Sequence, residues 1–344
     1  MFSKIVVKAP ARLHLGILDM KGDLGRIYGS IGVALEKPKT VVEIARSDRF
    51  KILGLDGFKV DIEDKILGFL SKLNLKPKVK IRVLNTAPLH VGLGSVTQLL
   101  LSIGFGLVKL FNLKLSVEDV AKLMGRGDVS GIGTYTFKFG GFLVDGGRKT
   151  ENSLEIPPLL FRFDFPKSWV FVLGIPNIKR GFDDETEKVM MVRARESLKN
   201  RTVSEASRIV LMKLLPSLLE KNIVEFGKAL LMLQFEVGKM FSEVQGGVFR
   251  HPVIQHGIDF LLKEGVCGGG QSSWGPTFYG LIEGRVKAKN LADKVSLTKK
   301  EEILPPMPPY ERRIIHLELA ERGDVTTQSV GREPKRRVVI KPYP

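Results

Sequence analysis

The chain of 344 residues is 43% hydrophobic and 26% charged, with a mean hydropathy of +0.04, which excludes a disordered or fibrous protein and predicts two packed lobes. The single cysteine, Cys267, excludes an internal disulfide framework, and the lack of a run of about 18 apolar residues excludes a membrane-spanning helix. The net charge of +17 suits either nucleic acid or phosphorylated metabolites, and we favour the metabolites. Because residues 1–10 have no apolar signal-peptide core, we expect a cytoplasmic protein with no membrane partner.

The first part of the chain predicts a lobe that mixes strands and helices. A strand over Lys4–Lys8 continues into Ala9–Leu15, where the alternation puts Arg12 and His14 on the same face. A loop of charged and turn-forming residues follows at Asp19–Arg26. The next predicted elements are strands at Ile31–Leu35 and Thr40–Ala45, a hairpin turn at Asp56–Gly57, an amphipathic helix at Ile62–Leu73 and a strand at Val79–Val83.

The stretch His90–Gln98 reads H-V-G-L-G-S-V-T-Q and leads into the apolar run Leu99–Phe111, for which we predict a buried helix that begins near Gly94 or Ser95. A glycine-rich turn at a helix N-terminus offers backbone N–H groups and the positive end of the helix dipole to an anion. The predicted phosphate-binding residues are Gly92, Leu93, Gly94, Ser95, Val96, Thr97 and Gln98. The Gly-Lys-Ser/Thr ending of a Walker A loop is missing, and a plain strand–turn–helix junction is the alternative.

Further along, Ser116 and Asp119 predict a helix with a capping box, and a second glycine-rich turn spans Arg126–Gly133. The remaining predictions are a strand at Phe137–Asp145, a mobile charged segment at Asp183–Thr202, helices at Ser204–Leu219 and Ile223–Phe241, and a third glycine-rich loop at Gly268–Pro276. Pro157-Pro158 marks the predicted boundary between domains 1–156 and 157–284. Residues 285–344, with 14 Lys and Arg against 8 Asp and Glu, resemble a basic, loosely ordered tail.

Three glycine-rich loops in this order resemble those of the GHMP kinase superfamily. The first motif of the superfamily matches at Ala9–Asp19, its phosphate loop at Gly92–Gln98 and its last motif at Gly268–Thr277. The resemblance implies an α/β (α+β), two-lobed GHMP-kinase-like fold with the active site in the inter-lobe cleft. Mevalonate-kinase-like members place an aspartate two residues after Ser-Gly, where it activates the substrate hydroxyl, but this chain has Gly133 at that position. Glycine cannot accept a proton, so a kinase would need a base from elsewhere. The candidates are Asp128 and Asp145.

Within the superfamily the chain resembles the β-ribofuranosylaminobenzene 5′-phosphate synthases more closely. Matching blocks include His90–Ser95, Gly125–Gly127, Ser130–Gly133, Gly140–Gly147 and Gly270–Thr277, although the family usually has glycine where this chain has Val96. The resemblance implies condensation of phosphoribosyl pyrophosphate with para-aminobenzoate, release of pyrophosphate and carbon dioxide, Mg²⁺ as cofactor, and a place in methanopterin biosynthesis. This reaction needs no strong base, because loss of the carboxylate replaces loss of a proton.

With this reaction in view, we interpret Arg126, His14 and Ser130 as catalytic candidates and Arg12 and Arg26 as further phosphate ligands. The candidate Mg²⁺ ligands are Asp19 and Asp23, and the candidate residues for the aromatic acid are Gln271, Ser272, Ser273 and Trp274. The structural alternatives are surface ion pairs for the arginines, turn formation for the two aspartates, and core packing for the histidine and the tryptophan.

Two other functions stay open on the sequence. A GHMP-type small-molecule kinase would consume ATP without para-aminobenzoate, and a non-catalytic RNA-binding protein on a similar fold would bind RNA with a steep dependence on salt. We expect small-molecule substrates rather than nucleic acid, and a homodimer is one possible assembly.

Overall fold

The computed structural model describes residues 2–55, 59–150, 155–181, 184–198, 204–297, 302–303, 306–320 and 325–342. The hairpin turn predicted at Asp56–Gly57 lies outside these residues. Within the described ranges, no helix combines the length and the apolar character that a membrane span requires.

The first lobe is built on a seven-stranded sheet. Its elements in chain order are β1 (Lys4–Asp19), β2 (Arg26–Arg46), β3 (Lys51–Leu53), α1 (Lys59–Lys72), β4 (Val79–Asn85), α2 (Ser95–Leu110), α3 (Val117–Leu123), α4 (Ile132–Phe139), β5 (Phe142–Asp145), β6 (Arg148–Lys149) and β7 (Leu159–Phe163). The sheet order is β3-β4-β2-β5-β7, and the long β2 also pairs with β1 and β6. All these pairs are antiparallel except β3 with β4.

The predicted buried helix after the first glycine loop is confirmed as α2, which packs on β1 and β2. Its leucines and isoleucine are fully buried, and two glycines let the sheet and α3 approach its backbone. A Cβ atom on Gly106 would lie 2.3 Å from Ile44 Cδ1, and one on Gly104 would lie 2.6 Å from Val120 Cγ1. The capping box predicted for Ser116 and Asp119 is present at the start of α3. The apolar pattern and the caps therefore determine this helical layer.

The second lobe contains a smaller antiparallel sheet in the order β8-β10-β9. Its elements are β8 (Trp169–Gly174), α5 (Asp184–Ser197), α6 (Ser204–Ile209), a π-helical turn (Val210–Leu214), α7 (Leu215–Leu219), α8 (Ile223–Gln245), α9 (Pro252–Lys263), β9 (Gly268–Gln271) and β10 (Phe278–Glu283). One apolar cluster extends from β1 through α8 to β10, so the two lobes share a core. The two-lobed α/β fold is confirmed.

Several boundaries differ from the sequence predictions. The first sheet continues past Pro157-Pro158, because β7 pairs with β5. The stretch Phe137–Asp145 is a helix end followed by β5 rather than one strand, since Gly140 and Gly141 both adopt positive φ and break the chain direction. The described part of Asp183–Thr202 is mostly helix α5, which packs against α8 through Met191 and Ala194.

The segment after Gly284 is folded wherever it is described, which corrects the prediction of a loosely ordered tail. It contains α10 (Arg285–Leu297), β11 (Glu302–Ile303), α11 (Pro309–Ala320), β12 (Val325–Val330) and β13 (Arg337–Pro342), with a sheet in the order β11-β13-β12. Helix α10 buries Ala288 and Leu291 against the second lobe. Arg312 is buried, donates to Met307 O and pairs with Glu333 at 2.6 Å. The many charged residues of this segment, 14 basic and 8 acidic, are the reason that its sequence resembles a loosely ordered tail.

Candidate functional site

A cavity of about 240 Å³ lies between the two lobes. Its walls come from β1, the glycine loop before α2, the turn before α4, helices α5 and α8, and the loop between β9 and β10. Residues of all three glycine-rich loops, at 90–98, 126–133 and 268–276, therefore line the same cavity. Its lining divides by chemistry into a polar set on β1, the glycine loop before α2 and the turn before α4, called here the polar end, and an apolar and aromatic set on α5, α8 and the β9–β10 loop, called here the apolar end.

The first glycine loop forms part of the polar end through Gly92, Gly94, Ser95, Val96 and Thr97. Gly92 and Gly94 have φ values of +91° and +71°, and a Cβ on Gly92 would lie 2.3 Å from Ser272 O. Only glycine allows this contact between the two lobes. The backbone N–H groups at the start of α2 lie at this end of the cavity, which suits an anion. Val96, where the family usually has glycine, lines the cavity, and the loop still leads directly into α2.

Two guanidinium groups add positive charge beside this loop. Arg12 Nη1 donates to Gly92 O at 2.7 Å, and Arg126 Nε donates to Thr97 Oγ1 at 3.2 Å. Arg12 Nε is buried and has no hydrogen-bond partner among the described residues, so it is available to an anionic ligand. Loss of hydration lowers the pKa of Arg12 to about 10; the carboxylate of Glu187 opposes this shift, and Arg126 adds to it. Arg12 therefore stays protonated at neutral pH.

His14 follows Arg12 on the same strand and lines the cavity beside a β-bulge. Its backbone N–H donates to Ser272 Oγ at 3.0 Å, which connects β1 to the third glycine-rich loop. Burial, and secondarily the charge of Arg12, lower the pKa of His14 to about 3. The imidazole is therefore neutral at physiological pH, so it can donate one hydrogen bond but adds no positive charge for a phosphate.

The buried carboxylate of Asp145 stabilises the second glycine-rich turn, Arg126–Gly133, by accepting hydrogen bonds from it. Asp145 Oδ1 accepts from Ser30 N (3.1 Å) and Gly147 N (3.0 Å), and its Oδ2 accepts from Gly131 N (2.9 Å) and the Ser130 hydroxyl (3.4 Å). Burial raises the pKa of Asp145 to about 6. Asp145 is not part of the cavity wall, so it is not placed to activate a substrate hydroxyl. It positions Ser130, which does line the cavity.

Gly133 faces the cavity next to Thr97. A Cβ atom there would lie 2.8 Å from Thr97 Cγ2, and Gly133 O accepts a hydrogen bond from Gln98 Nε2 at 2.8 Å. The close packing of α4 on α2 therefore leaves no room for an aspartate at this position. Of the two alternative bases that a kinase would need, only Asp128 lines the cavity, where it pairs with Lys188 at 3.4 Å.

The apolar end of the cavity comes from parts of the chain that the sequence motifs did not indicate. Helix α8 presents Val237 and Phe241, and α5 presents Met191. The Phe241 ring meets the Trp274 ring edge-on, with centroids 5.1 Å apart. Both aromatic side chains are buried, so this end can enclose an apolar ring. One sequence signal could have indicated that α8 lines a site. Gln234 is a polar residue within the apolar face of this amphipathic helix.

Among the residues predicted to bind the aromatic acid, Gln271, Ser273 and Trp274 line the cavity and Ser272 does not. The Ser272 hydroxyl donates to Gly92 O at 2.7 Å and so joins two loops. Gln271 Oε1 accepts from Arg250 N, and its Nε2 donates to Ser273 O at 2.7 Å. These polar groups mainly hold the third loop against the first, which leaves the Trp274 ring as the side chain most suited to an aryl ligand.

Several predicted site residues lie elsewhere. Arg26 donates to Gly146 O at 2.8 Å and Gly147 O at 2.6 Å, so it holds a turn and does not reach the cavity. Leu93 and Gln98 are buried beneath the glycine loop. The Ser95 hydroxyl donates to Pro88 O at 2.6 Å and supports the loop. These contacts stabilise the fold. The motif pattern alone could not distinguish them from contacts to a ligand.

The predicted metal ligands also lie outside the cavity. Asp19 Oδ1 accepts from the N–H groups of Lys21 (2.7 Å) and Gly22 (2.9 Å), and the Asp23 carboxylate pairs with Lys21 Nζ at 2.8 Å. Both are turn-forming residues. In the described residues no group of three or more His, Cys, Asp or Glu is arranged to hold a metal. The carboxylates that line the cavity are Asp128, which pairs with Lys188, and Glu187. Carboxylate oxygens are the protein ligands that Mg²⁺ takes beside substrate phosphates.

Known proteins resemble the chain in two separate parts. The family model described as GHMP kinases N terminal domain matches residues 61–141, and the model described as R-3-H domain matches residues 287–342. L. major mevalonate kinase in complex with R-mevalonate has a similar fold, with a TM-score of 0.64 and 13% sequence identity, over 86% of this chain and 93% of that chain. RNA-binding protein KhpB of Clostridium symbiosum is 55% identical over 53 residues, which are 15% of this chain and 24% of that protein.

The similarity that spans both lobes is to an archaeal enzyme. Beta-ribofuranosylphenol 5'-phosphate synthase of Methanothermobacter thermautotrophicus is 31% identical over 314 residues, which cover 86% of this chain and 93% of the relative. The chain therefore belongs to the β-ribofuranosylphenol 5′-phosphate synthase family of the GHMP superfamily.

Proposed function

We propose that this chain transfers the ribose 5-phosphate group of phosphoribosyl pyrophosphate to the ring of a para-substituted benzoate, with release of pyrophosphate and carbon dioxide. The observation that carries the proposal is a cavity whose lining combines two arginines and a glycine loop with an aromatic wall. The sequence resemblance favours para-aminobenzoate as the acceptor. The product in the name of the archaeal relative is a phenol, so para-hydroxybenzoate is the second candidate.

The polar end accounts for departure of the pyrophosphate. Negative charge develops on the leaving oxygen as the bond to the ribose anomeric carbon breaks, and fixed donors that face this oxygen stabilise the charge. Arg12, Arg126 and the backbone N–H groups before α2 provide such donors. Neutral His14 donates a hydrogen bond without adding a third cation beside the developing positive charge of the ribose.

The aryl acid attacks through the ring carbon that bears its carboxylate. Electron donation from the para substituent supports this attack, and loss of carbon dioxide then restores the aromatic ring. No proton has to leave the attacking carbon, which agrees with Gly133 in the place of a kinase base. The Phe241 and Trp274 wall keeps water from the reactive ribose. The product would be the aryl ribose unit expected for methanopterin biosynthesis.

We propose further that Mg²⁺ binds together with the pyrophosphate group, and that Asp128 and Glu187 would hold it, since these carboxylates line the cavity. When bound, the ion would neutralise charge on the phosphate oxygens.

Incubation with phosphoribosyl pyrophosphate, Mg²⁺ and a carboxyl-labelled acceptor tests the reaction. We expect labelled carbon dioxide and pyrophosphate in equal amounts, with either para-aminobenzoate or para-hydroxybenzoate. Absence of labelled carbon dioxide with both acids would contradict the proposal. Consumption of ATP without an aryl acid would favour the kinase alternative instead.

The match to KhpB supports a second function for the segment 287–342: we propose that it binds RNA. The turn between β12 and β13 carries exposed basic residues, namely Arg332, Lys335 and Arg336. Neutralising phosphates with basic side chains makes binding weaken as salt rises. We expect the full chain to bind RNA with this salt dependence. A variant with these three residues changed to glutamine should bind less tightly and with a smaller salt slope. Equal binding by both proteins would refute the assignment to this turn.

A further inference from the structure

Gln245 is the last residue of α8 and lines the apolar end of the cavity. Together with Gln234, Val237 and Phe241 it repeats at intervals of three or four residues, so all four lie on one face of the helix. Gln245 follows Phe241 by one turn, about 6 Å along the helix axis. It therefore neighbours Phe241 on the face of α8 that lines the cavity.

The neighbouring backbone determines how the Gln245 amide is oriented. Gly246 has a φ of +83° and ends the helix, and the chain then turns back so that Gly247 and Val248 face the side chain. Gln245 Nε2 donates to Gly247 O at 2.9 Å and to Val248 O at 2.8 Å. Both amide hydrogens are thereby used, and the opposite orientation would place Oε1 against two carbonyl oxygens.

The Gln245 side-chain oxygen differs from the side-chain oxygens of the other two glutamines that line the cavity. Gln234 Oε1 accepts from Gln271 N, and Gln271 Oε1 accepts from Arg250 N, so both oxygens serve the fold. Gln245 Oε1 has no hydrogen-bond partner in the part of the chain that the structure describes. A fixed acceptor at the apolar end of a ligand cavity is suited to a ligand that carries a donor there.

We propose that Gln245 Oε1 accepts a hydrogen bond from the para O–H or N–H group of the aryl acid and thereby selects acids that carry a para donor. This inference rests on the proposed function, because the carbon that bears the carboxylate must reach the ribose at the polar end. The para substituent is then the part of the acid farthest from the ribose, and the proposal places it against Gln245, which lines the same cavity. Hydroxyl and amino groups both donate, so Gln245 accounts for either acceptor and disfavours benzoate itself.

Isothermal titration calorimetry with pyrophosphate present tests the inference by comparing para-hydroxybenzoate with benzoate. A neutral hydrogen bond contributes about 1 kcal/mol, so we expect wild type to bind para-hydroxybenzoate about fivefold to tenfold more tightly. Gln245→Met removes the acceptor at similar length, and Gln245→Lys keeps N–H donors for the two carbonyls but has no acceptor. Both variants should reduce the ratio to about twofold or less.

Gln255→Met is the matched control, because Gln255 lies on α9 and donates to Asp259 outside the cavity. It should keep the wild-type ratio. A ratio compares two ligands on one preparation, so partial unfolding does not alter it. A ratio that persists in both Gln245 variants would overturn the inference, and so would a wild type that binds neither acid.

Turnover assays on the same proteins separate the two proposals. Labelled carbon dioxide with an unchanged ratio would leave the proposed reaction in place and remove the role of Gln245. A ratio that collapses in the variants while wild type releases no carbon dioxide would establish the aryl-acid site and contradict the reaction.

Discussion

The two ends of the cavity are assembled in different ways. The polar end comes from short motifs, each contiguous in sequence: Arg12 with His14, Gly92 to Thr97, and Arg126 to Ser130. The apolar end comes from single residues of α5, α8 and the third loop, which are far apart in the chain. Binding a phosphate group requires particular backbone conformations and charges, which leave a local signature. Enclosing a ring requires only apolar side chains at the right positions, which resemble any other part of a core.

This difference predicts that single substitutions act more severely at the polar end. There the charge is concentrated in a few groups, whereas the apolar end distributes its contacts over many side chains. The following changes test that difference, beginning with the largest expected effect.

Arg126→Gln should lower kcat/KM for phosphoribosyl pyrophosphate about a thousandfold, because the charge beside Thr97 is lost where the leaving group develops negative charge. The measurement is steady-state release of pyrophosphate. Arg26→Gln is the matched control, since Arg26 binds two backbone carbonyls outside the cavity and its loss should leave kcat/KM within a few fold. Equal losses in the two variants would contradict the distinction between ligand-binding and structural arginines.

Asp145→Asn tests the support behind the polar end. In wild type, backbone N–H groups donate to both carboxylate oxygens of Asp145. In the variant an NH₂ group faces some of these donors, so we expect a loss of about 1–3 kcal/mol in the free energy of unfolding. Because burial raises the pKa of Asp145 from 3.8 to about 6, the unfolded state ionises first, and wild type loses stability as pH rises from about 4 to about 6.

The stability difference between wild type and Asp145→Asn should therefore be larger at pH 4.5 than at pH 7.5 in urea unfolding. A difference that increases with pH would show that hydrogen bonds to the carboxylate outweigh the cost of its burial.

Phe241→Ala should weaken binding of the aryl acid by about 10- to 30-fold and leave pyrophosphate affinity unchanged, because it removes a ring that contacts only the apolar end. Met232→Ala is the control on the same helix, since Met232 is 45% exposed. Calorimetric titration with each ligand checks both. A comparable loss of pyrophosphate affinity would mean that the two ends do not act independently.

Asp23→Asn should have the smallest effect. The Asp23–Lys21 pair is solvent-exposed, and such pairs contribute little to stability because water screens them. We expect turnover and the Mg²⁺ concentration for half-maximal activity to stay at wild-type values. A marked rise in the Mg²⁺ requirement would instead support the sequence prediction that Asp23 in the β1–β2 turn binds the metal.

Much of the fold follows from local sequence. The apolar run of α2, the Ser116–Asp119 capping box and the glycines before α2 each specify their own conformation. The same holds for the anion-binding character of the first loop. By contrast, the sequence did not separate Arg12 from Arg26, because both are arginines beside turns and only the tertiary structure shows which guanidinium faces the cavity.

The C-terminal segment shows that local sequence also failed to predict part of the fold. Arg312 is a charged residue that sequence rules place at the surface, yet it is buried against Met307 and Glu333. The sequence alone determined the glycine loops, the main helices and the missing base at Gly133, because these depend on backbone conformation and residue type. Only the tertiary structure decided the aromatic wall, the orientation of Gln245 and the role of Asp145, because each depends on groups that are distant in the chain and meet only when the lobes pack.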